Sequence, residues 1–170
     1  MKLPGSILVV LGLVLTDLPV CAGSEPFWIW HTGDGQSASE LFARRTFHVS
    51  NRVRSAELRV VGGATNRVHL NGAPLDFSSR DVDVTSLLRL GRNVLSVQTR
   101  AEKRPGLIAL LVITLTTGQR HVIASDREWK TAGRDSPEWT ALDFDDSAWA
   151  SAKSLAPHGA EPWGKVLRRD

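Results

Sequence analysis

Residues 67–99 (RVHLNGAPLDFSSRDVDVTSLLRLGRNVLSVQT) constrain the fold more than any other part of the chain. The run begins by alternating, Val68 and Leu70 on one face and Arg67 and His69 on the other, which is the period of a half-buried strand. Asn71-Gly72 then supplies a two-residue turn, because both residues take positive φ readily and a hairpin turn that matches strand twist requires it. Asp83-Val84-Thr85 leads into Ser86-Leu87-Leu88, one apolar helical turn that Thr85 or Ser86 can cap and Gly91 would stop. Val94 then relaunches the alternation, with Leu95 and Val97 inward. A chain with this stretch at its centre is committed to strands joined by tight turns.

The remaining segments follow the same pattern. Residues 26–30 (PFWIW) are short, aromatic and β-prone, and alternation puts Trp28 and Trp30 on one face with Ile29 opposite. A polar loop rich in Gly and Ser follows at 31–39. Phe47 and Val49 face inward within 45–49, as do Leu58 and Val60 within 57–61, before the breaker Gly62-Gly63. Residues 107–115 (LIALLVITL) are an unbroken apolar run, too short to span a bilayer; Val112, Ile113 and Thr114 predict a central strand covered on both faces. Thr117-Gly118 turns the chain into a strand at 120–124. Short strands, regular turns and almost no helical periodicity predict an all-β fold, an antiparallel β-sandwich.

The last third carries Trp129-Lys130, then Asp143-Phe144-Asp145-Asp146-Ser147-Ala148-Trp149, then Pro162-Trp163-Gly164. With Arg45-Thr46-Phe47, Pro105-Gly106-Leu107 and the central stretch, these resemble in order the motifs of galactose-binding-like jelly-roll domains. Such domains occur as accessory domains of bacterial α-L-rhamnosidases and β-galactosidase-type glycoside hydrolases. The resemblance covers residues 28–164. It implies a jelly-roll sandwich that is not an enzyme, with Trp129, Trp149 and Trp163 forming core. It also raises a structural calcium with Asp81 and Asp83 as donors, left unassigned; no other cofactor is expected.

Met1-Lys2-Leu3, an apolar core at 7–15 and the small-residue site Val20-Cys21-Ala22 read as a secretory signal peptide over 1–22, with the sandwich domain at 23–170. Cleavage removes the one cysteine and leaves about 148 residues, enough for a single core held by packing without disulfides. A secreted or periplasmic location is expected, with no membrane association after cleavage. The net charge of +3 is mild, and the basic tail of Lys165, Arg168 and Arg169 has no recognition helix beside it, so nucleic acid is not an expected partner.

Asp145-Asp146-Ser147 looks at first like an acid/base or metal cluster. Adjacent carboxylates point different ways, however, and suit capping the amides of a turn, with Trp149 plugging the core below. Glycoside hydrolysis needs two carboxyls from separate elements facing one bond, and nothing places such a pair. No nucleophile elbow is present. The five histidines (His31, His48, His69, His121, His158) lack ligand spacing, and zinc is not expected.

Six tryptophans with no tyrosine suggest sugar stacking, and Trp30, beside the polar loop, is the candidate platform. If successive strands reverse, the loops at 31–43, 62–66 and 101–106 share one end, and the tight turns at 71–72 and 117–118 the other. The long-loop end offers His31, Asp34, Gln36, Asn66, Glu102, Lys103 and Arg104 as hydrogen-bonding groups. The expected ligand-binding set is Trp30, His31, Asn66, Glu102 and Arg104, and the expected function a secreted, non-catalytic carbohydrate-binding module. The alternative is a structural or protein-interaction accessory domain of a secreted glycoside hydrolase or oxidoreductase system, whose partner is an enzyme and not a sugar.

Overall fold

In the computed structural model, residues 25–32, 39–77, 81–101 and 104–167 are described. The expected signal peptide at 1–22 lies outside them. Twelve strands and one 3-10 turn follow in order: β1 (Phe27–Trp30), β2 (Glu40–Val49), β3 (Val53–Val61), β4 (Thr65–Leu70), β5 (Ala73–Leu75), β6 (Asp81–Asp83), the turn Thr85–Leu87, β7 (Gly91–Arg100), β8 (Ile108–Leu115), β9 (Arg120–Ala124), β10 (Lys130–Ala132), β11 (Ala150–Ser151) and β12 (Lys153–Pro157). Every pairing between them is antiparallel.

Two sheets form the layers of a sandwich, a six-stranded one in the order β11-β10-β2-β7-β4-β5 and a four-stranded one in the order β6-β3-β8-β9. The main core lies between them. Leu41, Ala43, Phe47 and Val49 of β2 and Leu95 and Val97 of β7 meet Ala56, Leu58 and Val60 of β3 and Ala109, Leu111, Ile113 and Leu115 of β8. The alternation read from sequence therefore sets the inner face. β8 is the expected central strand, flanked by β3 and β9, and its other face carries Ile108 and Leu110 into a second apolar cluster. Trp129 is fully buried in the main core, and its indole Nε1–H donates to the Ala124 carbonyl at 2.9 Å, so no polar atom of that side chain is left without a partner.

Asn71 (φ 54) and Gly72 (φ 83) make the left-handed turn of the β4–β5 hairpin. The turn is held from outside as well. The Asn71 side chain accepts the Val94 N–H and donates to the Leu87 carbonyl and to Asn93 Oδ1. The helical turn after Asp83 exists but is not capped by the Thr85 or Ser86 side chain. Instead Thr85 Oγ1 accepts the Ala56 N–H from β3, and the Thr85 N–H donates to Asp83 Oδ1.

One local expectation fails for a clear reason. Trp28 and Trp30 do not share a face, because the β1–β12 register shifts between Trp28 and Ile29. This bulge re-aims the strand, so Ile29 and Trp30 enter the main core while Trp28 enters the second cluster.

Candidate functional site

The register confirms which connections share an end. Glu40 and Thr65 both pair with Arg100, and Val61 pairs with Ile108, so the starts of β2, β4 and β8 lie with the ends of β3 and β7. The Ala101 N–H donates to the Ser39 carbonyl and the Ala64 N–H to the Arg100 carbonyl, tying those strand ends together. Gly63 comes so close to the backbone of Arg100 that a Cβ would fall 1.9 Å from its carbonyl oxygen, which explains the Gly62-Gly63 pair in chemical terms. The loops are shorter than expected, since residues 40–43 and 65–66 belong to strands.

The structure separates the expected site residues. Arg104 is exposed, and its guanidinium donates to the Pro162 carbonyl at 3.1 Å. His31 is half-buried, its ring 5.8 Å from that of Trp30. Asn66 is exposed on the six-stranded sheet, opposite Thr99 and close over Gly62. Glu102, with Asp34, Gln36 and Lys103, lies outside the described residues.

Trp30 is corrected as a platform. It is only 7% exposed and belongs to the main core, because the bulge in β1 turns it inward. The aromatic ring that reaches the surface at this end is Trp163, half-buried beside Arg104 and stacked on Trp28 with centroids 5.5 Å apart and planes at 21°. Gly106 makes room for the pair: a Cβ there would lie 2.8 Å from Trp163 Nε1 and 2.9 Å from Trp28 Cε3. What this end can offer chemically is a ring edge with donors and acceptors around it, the requirement of a polyol ligand.

The Asp-rich motif does something more specific than cap a turn. Asp145 Oδ1 accepts the Ser147 N–H at 2.9 Å as expected, and that amide, followed by the Ser147 hydroxyl, holds the Asp145 carboxyl below its ordinary range. Asp146 instead accepts from Arg44 Nε at 2.9 Å. Arg44, on the outer face of β2, is 0% exposed, and its guanidinium also donates to the carbonyls of Trp139, Ala141 and Phe144. Around it stand Phe42, Phe144, Trp139 and Trp149, with Trp139 edge-on to Phe42 and stacked on Trp149. Trp149 thus plugs the outside of the six-stranded sheet and not the core between the sheets. Trp163 likewise covers the outside of the four-stranded one; of the three tryptophans expected in the core, only Trp129 is there.

Sequence reasoning missed Arg44 and Trp139. The available signal was a charge beside Phe42 on a strand whose opposite face is apolar. Asp145 and Asp146 are thus both engaged by protein donors. Asp81 accepts from Arg59 at 2.6 Å and Asp83 takes the Thr85 amide, so both expected calcium donors have protein partners. Among the described residues, no three His, Cys, Asp or Glu side chains gather as a metal site.

No family model matches the chain. It is 30% identical over 170 residues to an α-L-rhamnosidase of Streptomyces avermitilis, a match covering 89% of this chain and only 16% of that protein. The crystal structure of the Streptomyces avermitilis α-L-rhamnosidase complexed with L-rhamnose superposes with a TM-score of 0.73 at 29% identity, over 83% of this chain and 15% of that one. A lectin from Pleurotus ostreatus in complex with GalNAc has the same fold, with a TM-score of 0.67 at 20% identity, over 82% of this chain and 44% of the lectin chain.

Proposed function

Starting from a chain homologous to one β-sandwich region of the α-L-rhamnosidases, we propose that it is a secreted or periplasmic, non-catalytic carbohydrate-binding module. The observation that carries this reading is the share of the relatives it matches: 89% of this chain corresponds to 16% of an α-L-rhamnosidase, the proportion of an accessory domain. The engagement of Asp146 by Arg44 and of Asp145 by the Ser147 amide supports a structural, non-catalytic role for this pair.

The long-loop end is the proposed sugar site. Arg104, His31 and Asn66 supply hydrogen bonds, Glu102 a carboxylate acceptor, and the surface edge of Trp163 the apolar contact in place of Trp30. Calorimetric titration with L-rhamnose, N-acetylgalactosamine and rhamnose-bearing polysaccharides tests it. Saturable binding is expected, weakened about tenfold or more in Arg104→Ala, a loss of about 1.4 kcal/mol. Folded protein that binds none of these glycans, or hydrolysis of an aryl rhamnoside by the purified chain, would reject the reading.

A further inference from the structure

The opposite end of the sandwich carries a charge pattern for which sugar binding at the long loops has no use. The connections 50–52, 84–90 and 116–119 meet there, beside Asn71-Gly72. They are stitched together by the Thr116 N–H to the Arg52 carbonyl at 2.9 Å and by Asn71 Nδ2 to the Leu87 carbonyl at 3.1 Å. These connections and the adjoining strand ends hold Arg52, Arg54, Arg89, Arg92 and Arg120, all exposed. The stretches 47–56, 67–75, 84–97 and 114–125 contain no Asp or Glu. These five positive charges exceed the +3 of the entire chain, and the carboxylate that borders them, Asp83, accepts the Thr85 amide.

Arg54 is engaged by the Thr116 carbonyl at 3.0 Å. Arg52, Arg89, Arg92 and Arg120 make no ion pair with any described residue. Among them Leu90 stands 64% exposed and Leu87 36%, the large apolar side chains most open to water among the described residues.

The small pocket at this end, lined by His48, Ser50, Leu115 and His121 among others, includes none of the arginines, so an occupant that meets several of them at once is extended and lies across the turns. Guanidinium groups take carboxylates and sulfates two-pronged. The connections hold no aromatic residue, which removes the Trp or Tyr anchor expected of a protein hot spot. A single strongly exposed leucine is also too little apolar area for stable seating in a lipid surface.

We propose that this end binds an acidic polysaccharide, a sugar chain bearing carboxylate or sulfate groups, through Arg52, Arg89, Arg92 and Arg120, with Leu90 against the C–H face of a sugar ring. The proposal rests on the carbohydrate reading above but places a second, anionic ligand at the other end of the molecule.

The test is calorimetry of the full chain with polygalacturonate, dextran sulfate and uncharged dextran at 50 and 500 mM NaCl. The expected result is binding to at least one polyanion, weakening about tenfold or more between the two salts as screening grows. Whichever polymer binds tighter identifies the acid group. Arg52→Glu/Arg92→Glu/Arg120→Glu, with unchanged circular dichroism, should lose at least about tenfold while L-rhamnose or N-acetylgalactosamine binding persists. If that variant does not fold, Arg52→Gln/Arg120→Gln reads the same loss. Absence of binding to both polyanions, binding that survives charge reversal, or equal affinity for duplex DNA or phosphatidylglycerol vesicles would overturn the proposal. If the polyanions fail and the neutral sugars bind, only this proposal falls; if neither binds, the carbohydrate reading falls with it.

Discussion

The two sheets of the sandwich each have an outer face, and the last third of the chain covers parts of both by opposite means. Over the six-stranded sheet, residues 139–149 are anchored by one buried cation: Arg44 binds three carbonyls and a carboxylate, and the aromatics close around it. Over the four-stranded sheet, Trp163, Val166 and Leu167 lie on Trp28, Ile108 and Leu110, and the indole Nε1 atoms of Trp28 and Trp163 have no hydrogen-bond partner. The first cover is directional, since a guanidinium fork fixes the path of the segment bound to it. The second has no buried cation: its rings meet by area and shape, and its backbone is tied by the Val166 and Leu167 amides donating to His158 Nε2 and by Arg104 donating to the Pro162 carbonyl. A sheet face can be sealed either way, but only the first places a buried charge at the centre of the seal.

The largest effect should come from breaking the directional cover. Arg44→Ala leaves three carbonyls and the Asp146 carboxylate without their donor, and a loss of about 3–5 kcal/mol in urea unfolding is expected. Arg44→Lys should recover little, because a single ammonium cannot span the same acceptors. If Arg44→Ala costs no more than a surface substitution, the contrast between the covers is wrong.

Breaking the apolar cover should cost less. Trp163→Ala is expected to lose about 2 kcal/mol, below the range for a fully buried tryptophan because part of the side chain is already exposed. Trp163→Phe should keep most of the stability, since no hydrogen bond is lost. Gly106→Ala drives a methyl into both indoles, and about 1–2 kcal/mol is expected, measured by the same unfolding curves.

The smallest effect is a pH dependence confined to the first cover. His69, edge-on to Trp139, has its pKa lowered from 6.5, by burial first and the Arg67 charge second. The unfolded chain therefore takes up this proton before the folded one does. The contribution of a neutral His69 is complete above about 6.5 and is lost as pH falls toward the lower folded value. His69→Gln should flatten that part of the unfolding midpoint's pH profile and leave the alkaline side unchanged.

How much of this was legible followed from how local each signal was. The Asn71-Gly72 hairpin, the two-sided run at 107–115 and the sorting of loops to two ends depend on turn chemistry and period, and all three appear in the structure. The short strands β5, β6 and β10–β12 did not announce themselves, since two to five residues hold too little alternation to read. Trp30 went astray because a bulge obeys its pairing partner, β12, which lies far along the chain. The role of Arg44 went unread for a related reason: three of its partners are backbone carbonyls, which carry no residue identity, and the fourth, Asp146, lies far along the chain. The Asp-rich motif was legible as structural, yet its partner across the fold was not.

The pairing of Phe27 with Pro157 brings opposite ends of the described fold side by side. The first and last described strands are zipped here like the two sides of a clasp, so the fold closes on itself. With that closure, the order of segments can be rotated without either sheet being recut.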